Sequence, residues 1–131
     1  MSMRAFTAHQ PYAYAIVAGL KQYETRPRRT NIRGRVAVHA GLRDITGNEV
    51  NICETYIPQG TILAMGAVVG TVEIVDCLPV ENIVDGLTEQ EKALGDYSPG
   101  RWVWVLKNPV MFRMPIYARG KQGWWNWEER E

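Results

Sequence analysis

Lys21, Glu24 and Arg26 fall within six residues, in the run Gly19-Leu20-Lys21-Gln22-Tyr23-Glu24-Thr25-Arg26. A carboxylate accepts hydrogen bonds from an exocyclic amine, and a guanidinium fork meets a carbonyl or phosphate at two points. A lysine adds a compact positive charge. If it is buried its pKa falls, and it can then serve as base or nucleophile near neutral pH. A neighbouring Glu24 opposes that fall by favouring the ammonium. The same three charges also suit an ion-pair network at the mouth of a sheet, and spacing alone leaves both readings open. A second basic group follows: Arg26, Arg28, Arg29, Arg33 and Arg35 lie within ten residues, while Glu128-Glu129-Arg130-Glu131 leans acidic. The net charge is only +1. A local basic face on a near-neutral chain suits a compact anion or a short nucleic-acid contact better than a long duplex track, which needs many phosphate contacts.

The elements that must position these residues are readable in outline. Met3 to Ala8 reads as a strand. Pro11 to Ala18 reads as a short helix, with proline tolerated at its first position and Gly19 suited to the left-handed conformation after its end. Tyr12, Ala15 and Ile16 share one side of it. Gln22 to Arg26 is a strand ended by Pro27, which places Gln22, Glu24 and Arg26 on one side and Tyr23 and Thr25 on the other. Arg28 to Gly34 is a polar loop. Arg35 to Ala40 alternates, with Val36, Val38 and Ala40 on one face and Arg35, Ala37 and His39 on the other. Ile45 to Tyr56 is weakly helical, and Pro58-Gln59-Gly60 is a turn.

Ala64 to Leu78 is the most apolar stretch. Gly66 and Gly70 within it allow a bulge or bend in a closing sheet. Glu81 to Leu94 is a helical interlude in which Thr88 caps a helix and Glu91 stands three residues on. Arg101 to Leu106 is an aromatic-rich strand. Asn108-Pro109 is expected to turn the chain, so that Met111 to Tyr117 returns as an edge strand. Without regular alternation of strands and helices, the order points to an α+β arrangement around a curved or closed sheet. A length of 131 residues predicts one domain covering 1–131.

The composition excludes some classes. No apolar run reaches the roughly 18 residues that span a bilayer, and no apolar signal region follows Met1-Ser2-Met3-Arg4, so a cytoplasmic protein is expected. Cys53 and Cys77 stand 24 positions apart, outside any CxxC or Cys/His cluster. Two reduced thiols are expected, with no structural zinc and no cofactor. His9 and His39 lie on different elements and are expected to be satisfied locally rather than to bind metal. No Ser/His/Asp or Cys/His arrangement is legible.

Three segments together resemble the ASCH family in its bacterial and phage form. The first is His9-Gln10-Pro11-Tyr12-Ala13 leading into the G-x-K-x-x-E-x-R run that ends at Arg26. The second is Ile32-Arg33-Gly34-Arg35-Val36-Ala37-Val38-His39-Ala40. The third is Gly66 to Cys77, followed by Trp104 to Pro109 and Gly120-Lys121-Gln122-Gly123-Trp124-Trp125. The resemblance spans about Met3 to Trp127. It implies a PUA-like β-barrel with flanking short helices, a cleft near the signature, and work in RNA-linked processes.

The partners it implies are RNA, single-stranded DNA or a modified nucleoside, with no membrane and no metal. Ligand contacts are then expected from Gln10, Tyr12, Lys21, Glu24, Arg26, Arg28, Arg29, Arg33, Trp124 and Trp125. One bacterial branch hydrolyses N4-acetylcytidine, and ribonuclease activity has been proposed for others. Lys21 and Glu24 are the candidate catalytic pair under that alternative. The branch carries a threonine three positions after its lysine, where this chain has Glu24, and Thr25 lies one position away on the opposite face of the strand. Its further glutamate, from a later helical region, has no matching position here; Glu89 and Glu91 are the candidates for it.

Overall fold

The computed structural model describes residues 2–129; Arg130 and Glu131 of the acidic C-terminal run lie outside them. The strands are β1 (Ser2–Ala8), β2 (Tyr23–Arg26), β3 (Gly34–Ala40), β4 (Ala67–Pro79), β5 (Trp102–Tyr117) and β6 (Trp125–Glu128). The helices are α1 (Tyr12–Val17), α2 (Gly47–Tyr56) and α3 (Glu89–Ala93), with 3-10 turns at Val80–Asn82 and Val84–Gly86. The expected α+β class holds.

The strands form one sheet in the order β2-β5-β4-β3-β1-β6. Neighbours run antiparallel except β1 and β3, which are parallel. Among the described residues the ladder is not closed: β2 and β6 are its two ends. The barrel expected from the sequence is therefore a curled sheet, drawn together by side chains across its gap. Arg26 on β2 donates to the Thr7 carbonyl on β1 at 2.9 Å. Phe6 of β1 meets Trp104 of β5 edge to face, with ring centroids 5.5 Å apart.

Both faces of β3 are buried, because one looks into the main core and the other into a second cluster to which β1, β4, β5 and β6 contribute. Val36, Val38 and Ala40 join Phe6, Ile16, Val72, Ile74 and Trp104 in the main core. Ala37 points the other way, into a smaller cluster with Ala5, Val68, Trp125 and Trp127. Burying a side chain such as Phe6 or Ile74 stabilises the fold by about 1.5–3 kcal/mol.

Bulges give the sheet its curl. The β4–β5 register shifts between Val68 and Gly70, between Thr71 and Glu73, and between Ile74 and Asp76. Gly70 is needed there: a Cβ would collide with the Val110 carbonyl and press on Val17 of α1 at 2.8 Å. The turn expected at Asn108-Pro109 does not form. β5 runs unbroken through it and pairs with β4 from Pro79↔Trp102 to Ala67↔Tyr117. Proline removes one ladder donor and Asn108 takes φ 50°, so the interruption is absorbed as a bulge on a strand whose partner continues past it. Beyond the four residues paired to β2, β5 has only β4 beside it, so Met111 to Tyr117 does lie on a sheet edge.

Candidate functional site

The site begins with the exit from α1. Pro11 occupies the N-cap, and the alanine-rich helix lasts only six residues. Gly19, at φ 80°, reverses the chain, and the Leu20 and Lys21 N–H groups both donate to the Ala15 carbonyl. That double bond points Lys21 inward. From the other side, α3 clamps the same turn. Thr88 caps α3 by accepting from the Glu91 N–H at 3.1 Å. The Glu91 carboxylate does not return to the cap. It accepts from the Gln22 N–H and, at 3.1 Å, from the Tyr97 hydroxyl. Gln90 donates to the Leu20 carbonyl at 2.8 Å.

Lys21 is 3% exposed, and its Nζ donates to the Leu94 carbonyl at 2.7 Å while lying 3.7 Å from Glu24 Oε1. Burial pushes its pKa below the usual lysine range, against the opposing pull of Glu24 and Glu91. Glu24 Oε2 accepts from Arg26 Nε at 3.0 Å and from Arg26 Nη2 at 2.8 Å. The Arg26 guanidinium also lies over the rings of Phe6 and Trp104, 5.6 and 5.3 Å from their centroids. Alternation along β2 is what puts Glu24 and Arg26 on one side, as the strand period requires.

These residues open into a cavity of about 640 Å³. Thr7, Ala8 and His9 line it from β1, and Tyr12 from α1. Lys21, Glu24, Thr25 and Arg26 form the signature wall, Leu94, Gly95 and Asp96 the α3 side, and Arg101 the start of β5. Arg43, Asn48, Glu49 and Ile52 close it from α2 and the loop before it.

Glu49 is held by its helix cap: its Oε1 accepts from the Thr46 N–H at 2.9 Å and the Thr46 hydroxyl at 3.1 Å, and its Oε2 from Arg43 at 2.7 Å. Burial alone would raise the Glu49 pKa, but these donors together hold it below the usual carboxylate range. Burial and the Glu49 carboxylate push the Tyr12 phenol up to about 12, so it stays a donor.

Of the residues singled out in the sequence, Tyr12, Lys21, Glu24 and Arg26 meet at this cavity. His9 and Thr25 line it as well, Thr25 despite its expected place on the opposite face of the strand; the remaining expected ligand contacts do not. Gln10 is buried, donating to the Ala64 carbonyl at 2.8 Å and accepting from the Tyr14 N–H at 2.9 Å, which ties α1 to the chain ahead of β4. Arg33 donates to the Thr30 and Ile32 carbonyls and lies 3.9 Å from Asp76. Arg29 rests over Trp102 at 5.5 Å, and Arg28 is exposed.

Trp124 stacks on Trp104 with centroids 5.1 Å apart and serves the core. Trp125 is buried in the second cluster, edge-on to His39. Glu91 is occupied as described, and Glu89 lies exposed on α3. Both cysteines are free, Cys77 buried and Cys53 half-buried.

Sequence reasoning missed Arg43, Asn48, Glu49 and Arg101. The Thr46-Gly47-Asn48-Glu49 run carries a capping-box pattern that could have located the α2 wall. Among the described residues no group of three or more His, Cys, Asp or Glu side chains could hold a metal ion. No helix in them is long and apolar enough to cross a membrane.

The fold and the cleft define an α+β domain: a curled six-stranded sheet whose edge strand β2, with the turn before it, brings Lys21, Glu24 and Arg26 to a charged hollow. A family model for the ASCH domain matches residues 6–116, and the chain belongs to that family, whose fold is PUA-like. Activating signal cointegrator 1 of Homo sapiens is 28% identical over 125 residues, a match covering 88% of this chain and 21% of that protein. The Mus musculus protein of the same name is 28% identical over 130 residues, covering 86% and 20%. The chain thus spans about one fifth of the length of the curated relatives it matches.

The crystal structure of ASCH from Zymomonas mobilis shares the fold with a TM-score of 0.55 at 20% identity, covering 87% of this chain and 72% of that one. A single-residue mutant of the same protein matches equally, covering 74% of that chain.

Proposed function

We propose that this domain binds single-stranded nucleic acid, RNA foremost, or a nucleotide, through the cleft beside β2. The observation that carries the reading is the cleft's arrangement: Glu24 in the wall between Lys21 and Arg26, with Arg43 and Arg101 on other sides of one hollow. A volume of about 640 Å³ is of the size that small-ligand sites take, and it suits a nucleotide unit. Glu24 Oε1 accepts from a base amine, while arginines around the rim meet phosphate and position it.

Fluorescence anisotropy with labelled single-stranded RNA, single-stranded DNA and duplex is the test. Single strands are expected to bind at about 50 mM salt and to weaken markedly by about 200 mM. Absence of binding at the lower salt removes the reading.

A second reading, a small hydrolase acting on a modified nucleoside or on single-stranded RNA, is favoured by one observation. Lys21 is a buried amine with a lowered pKa in the cavity wall. Incubation with N4-acetylcytidine and with labelled RNA, followed by chromatography, tests it. Turnover lost in folded Lys21→Ala supports it; no product from either substrate disposes of it.

A further inference from the structure

A second hollow of about 420 Å³ adjoins the main cleft, and Thr7, His9 and Arg26 line both. These three form a waist between two basins. The far basin is bounded by Gly41 and Leu42 after β3 and by the loop Gly120 to Gly123 before β6. Its floor is built rather than incidental. His39 Nε2 donates to the Ala118 carbonyl at 2.7 Å, which leaves Nδ1 to accept from the Thr7 hydroxyl at 3.1 Å. The Thr7 oxygen therefore keeps its acceptor capacity. A Cβ on Gly41 would press on His9 Nδ1 at 2.7 Å, and one on Gly120 on His39 Cε1 at 2.6 Å, so the chain lies flush with the floor at both points.

The waist carries donors that the fold does not use. A guanidinium has five N–H groups. Arg26 spends Nε–H on Glu24 and both Nη2 hydrogens on Glu24 and the Thr7 carbonyl. Its two Nη1 hydrogens have no hydrogen-bond partner among the described residues. In the far basin Leu42 is 77% exposed, an apolar surface of the kind a base face covers, and Lys121 and Gln122 stand beside it.

We propose that the far basin receives the nucleotide adjacent to the one in the main cleft, so that the domain grips two consecutive residues of a single strand with their linking phosphate at Arg26. This rests on the nucleic-acid reading above. It makes the recognised unit a dinucleotide and gives Leu42 and Lys121 a binding role.

Isothermal titration with UMP, UpU, AMP and ApA tests it. A dinucleoside monophosphate carries less charge than the mononucleotide, so tighter binding cannot come from added charge. For at least one base, the dinucleotide is expected to bind about tenfold more tightly, roughly the gain from one modest additional contact. The double variant Leu42→Ser, Lys121→Ala alters two exposed loop residues; it is expected to cut dinucleotide binding to the mononucleotide level and leave mononucleotide binding unchanged. Equal affinities for the two lengths, or a length advantage that survives the double variant, overturns the two-basin proposal while the nucleic-acid reading stands. No binding of any of the four overturns the two-basin proposal, and the nucleic-acid reading falls with it if single-stranded RNA also fails to bind at low salt.

Discussion

Two neighbouring stretches of this chain are rich in basic residues, and the fold treats them differently. On β2 and the turn before it, Lys21, Glu24 and Arg26 are buried or half-buried, paired through Glu24 and turned into a hollow. In the loop that follows, Arg33 bonds to the loop's own carbonyls, Arg29 covers Trp102, and Arg28 stands in solvent. The difference lies in what surrounds each charge. A guanidinium held between a carboxylate and two aromatic faces has lost most of its water, so a ligand's charge is felt strongly there. An exposed guanidinium is screened and free to wander. Local charge density in the sequence therefore does not mark where charges gather in a hollow, whereas charge alternating along β2 does.

The sharpest way to break the comparison is to remove the carboxylate on which both cations depend. Glu24→Ala leaves Lys21 buried with the Leu94 carbonyl and the more distant pull of Glu91, and removes the oxygen to which Arg26 donates twice. Unpairing a buried charge typically costs about 3 kcal/mol or more. Urea unfolding should show that loss as a lowered midpoint at constant slope. A change indistinguishable from surface substitutions would mean that the cluster is not the stabilised unit described here.

Arg26→Lys comes next. The charge remains, but the fork that bonds Glu24 and the Thr7 carbonyl and overlies Phe6 and Trp104 does not. Single-strand affinity is expected to fall by at least about tenfold, with stability lowered by about 1 kcal/mol. Retained affinity in this variant would place the ligand elsewhere.

The pH dependence of Lys21 sharpens the same contrast. Burial lowers its pKa in the folded protein, so the folded state releases the proton before the unfolded chain does. Between the lowered value and 10.5 the unfolded chain binds more protons, and stability contributed by this residue rises with pH. Tyr97 runs the other way: burial raises its pKa, and above 10 the folded state keeps a proton that the unfolded chain loses. The stability difference between the natural protein and Lys21→Met isolates the lysine. It should grow in favour of the natural protein as pH climbs toward 10.5. A flat difference would show that the amine is not desolvated.

The legible part of this molecule is the part governed by local rules. Strand alternation placed Glu24 and Arg26 together, proline and glycine bounded α1, and Thr88 marked the start of α3. What stayed hidden depends on chain segments far apart. The Asn108-Pro109 pair looks like a turn until β4 is seen to continue beside it. Gln10 looks available until Ala64 arrives to accept its amide hydrogen. Arg43 and Glu49 enter the cleft only because α2 is laid across it, and no periodicity near residue 24 announces a helix more than twenty positions on. Trp124 and Trp125 have the aromatic faces a base would stack on, yet curling of the sheet commits them to the two cores.

The smallest expected effect is the most exacting test of the contrast. Arg28→Ala removes a full positive charge two positions from Arg26, so a model based on charge density predicts a loss close to that at Arg26. The structure predicts otherwise. Arg28 is exposed and lies outside both basins, so its contribution is a screened attraction through water. Stability should change by no more than about 0.5 kcal/mol. Affinity at physiological salt should stay within about twofold, with any loss confined to low salt, where a positioning phosphate contact is felt most. Were Arg28→Ala to weaken binding as much as Arg26→Lys at every salt concentration, the ligand would be tracking the loop rather than entering the hollow.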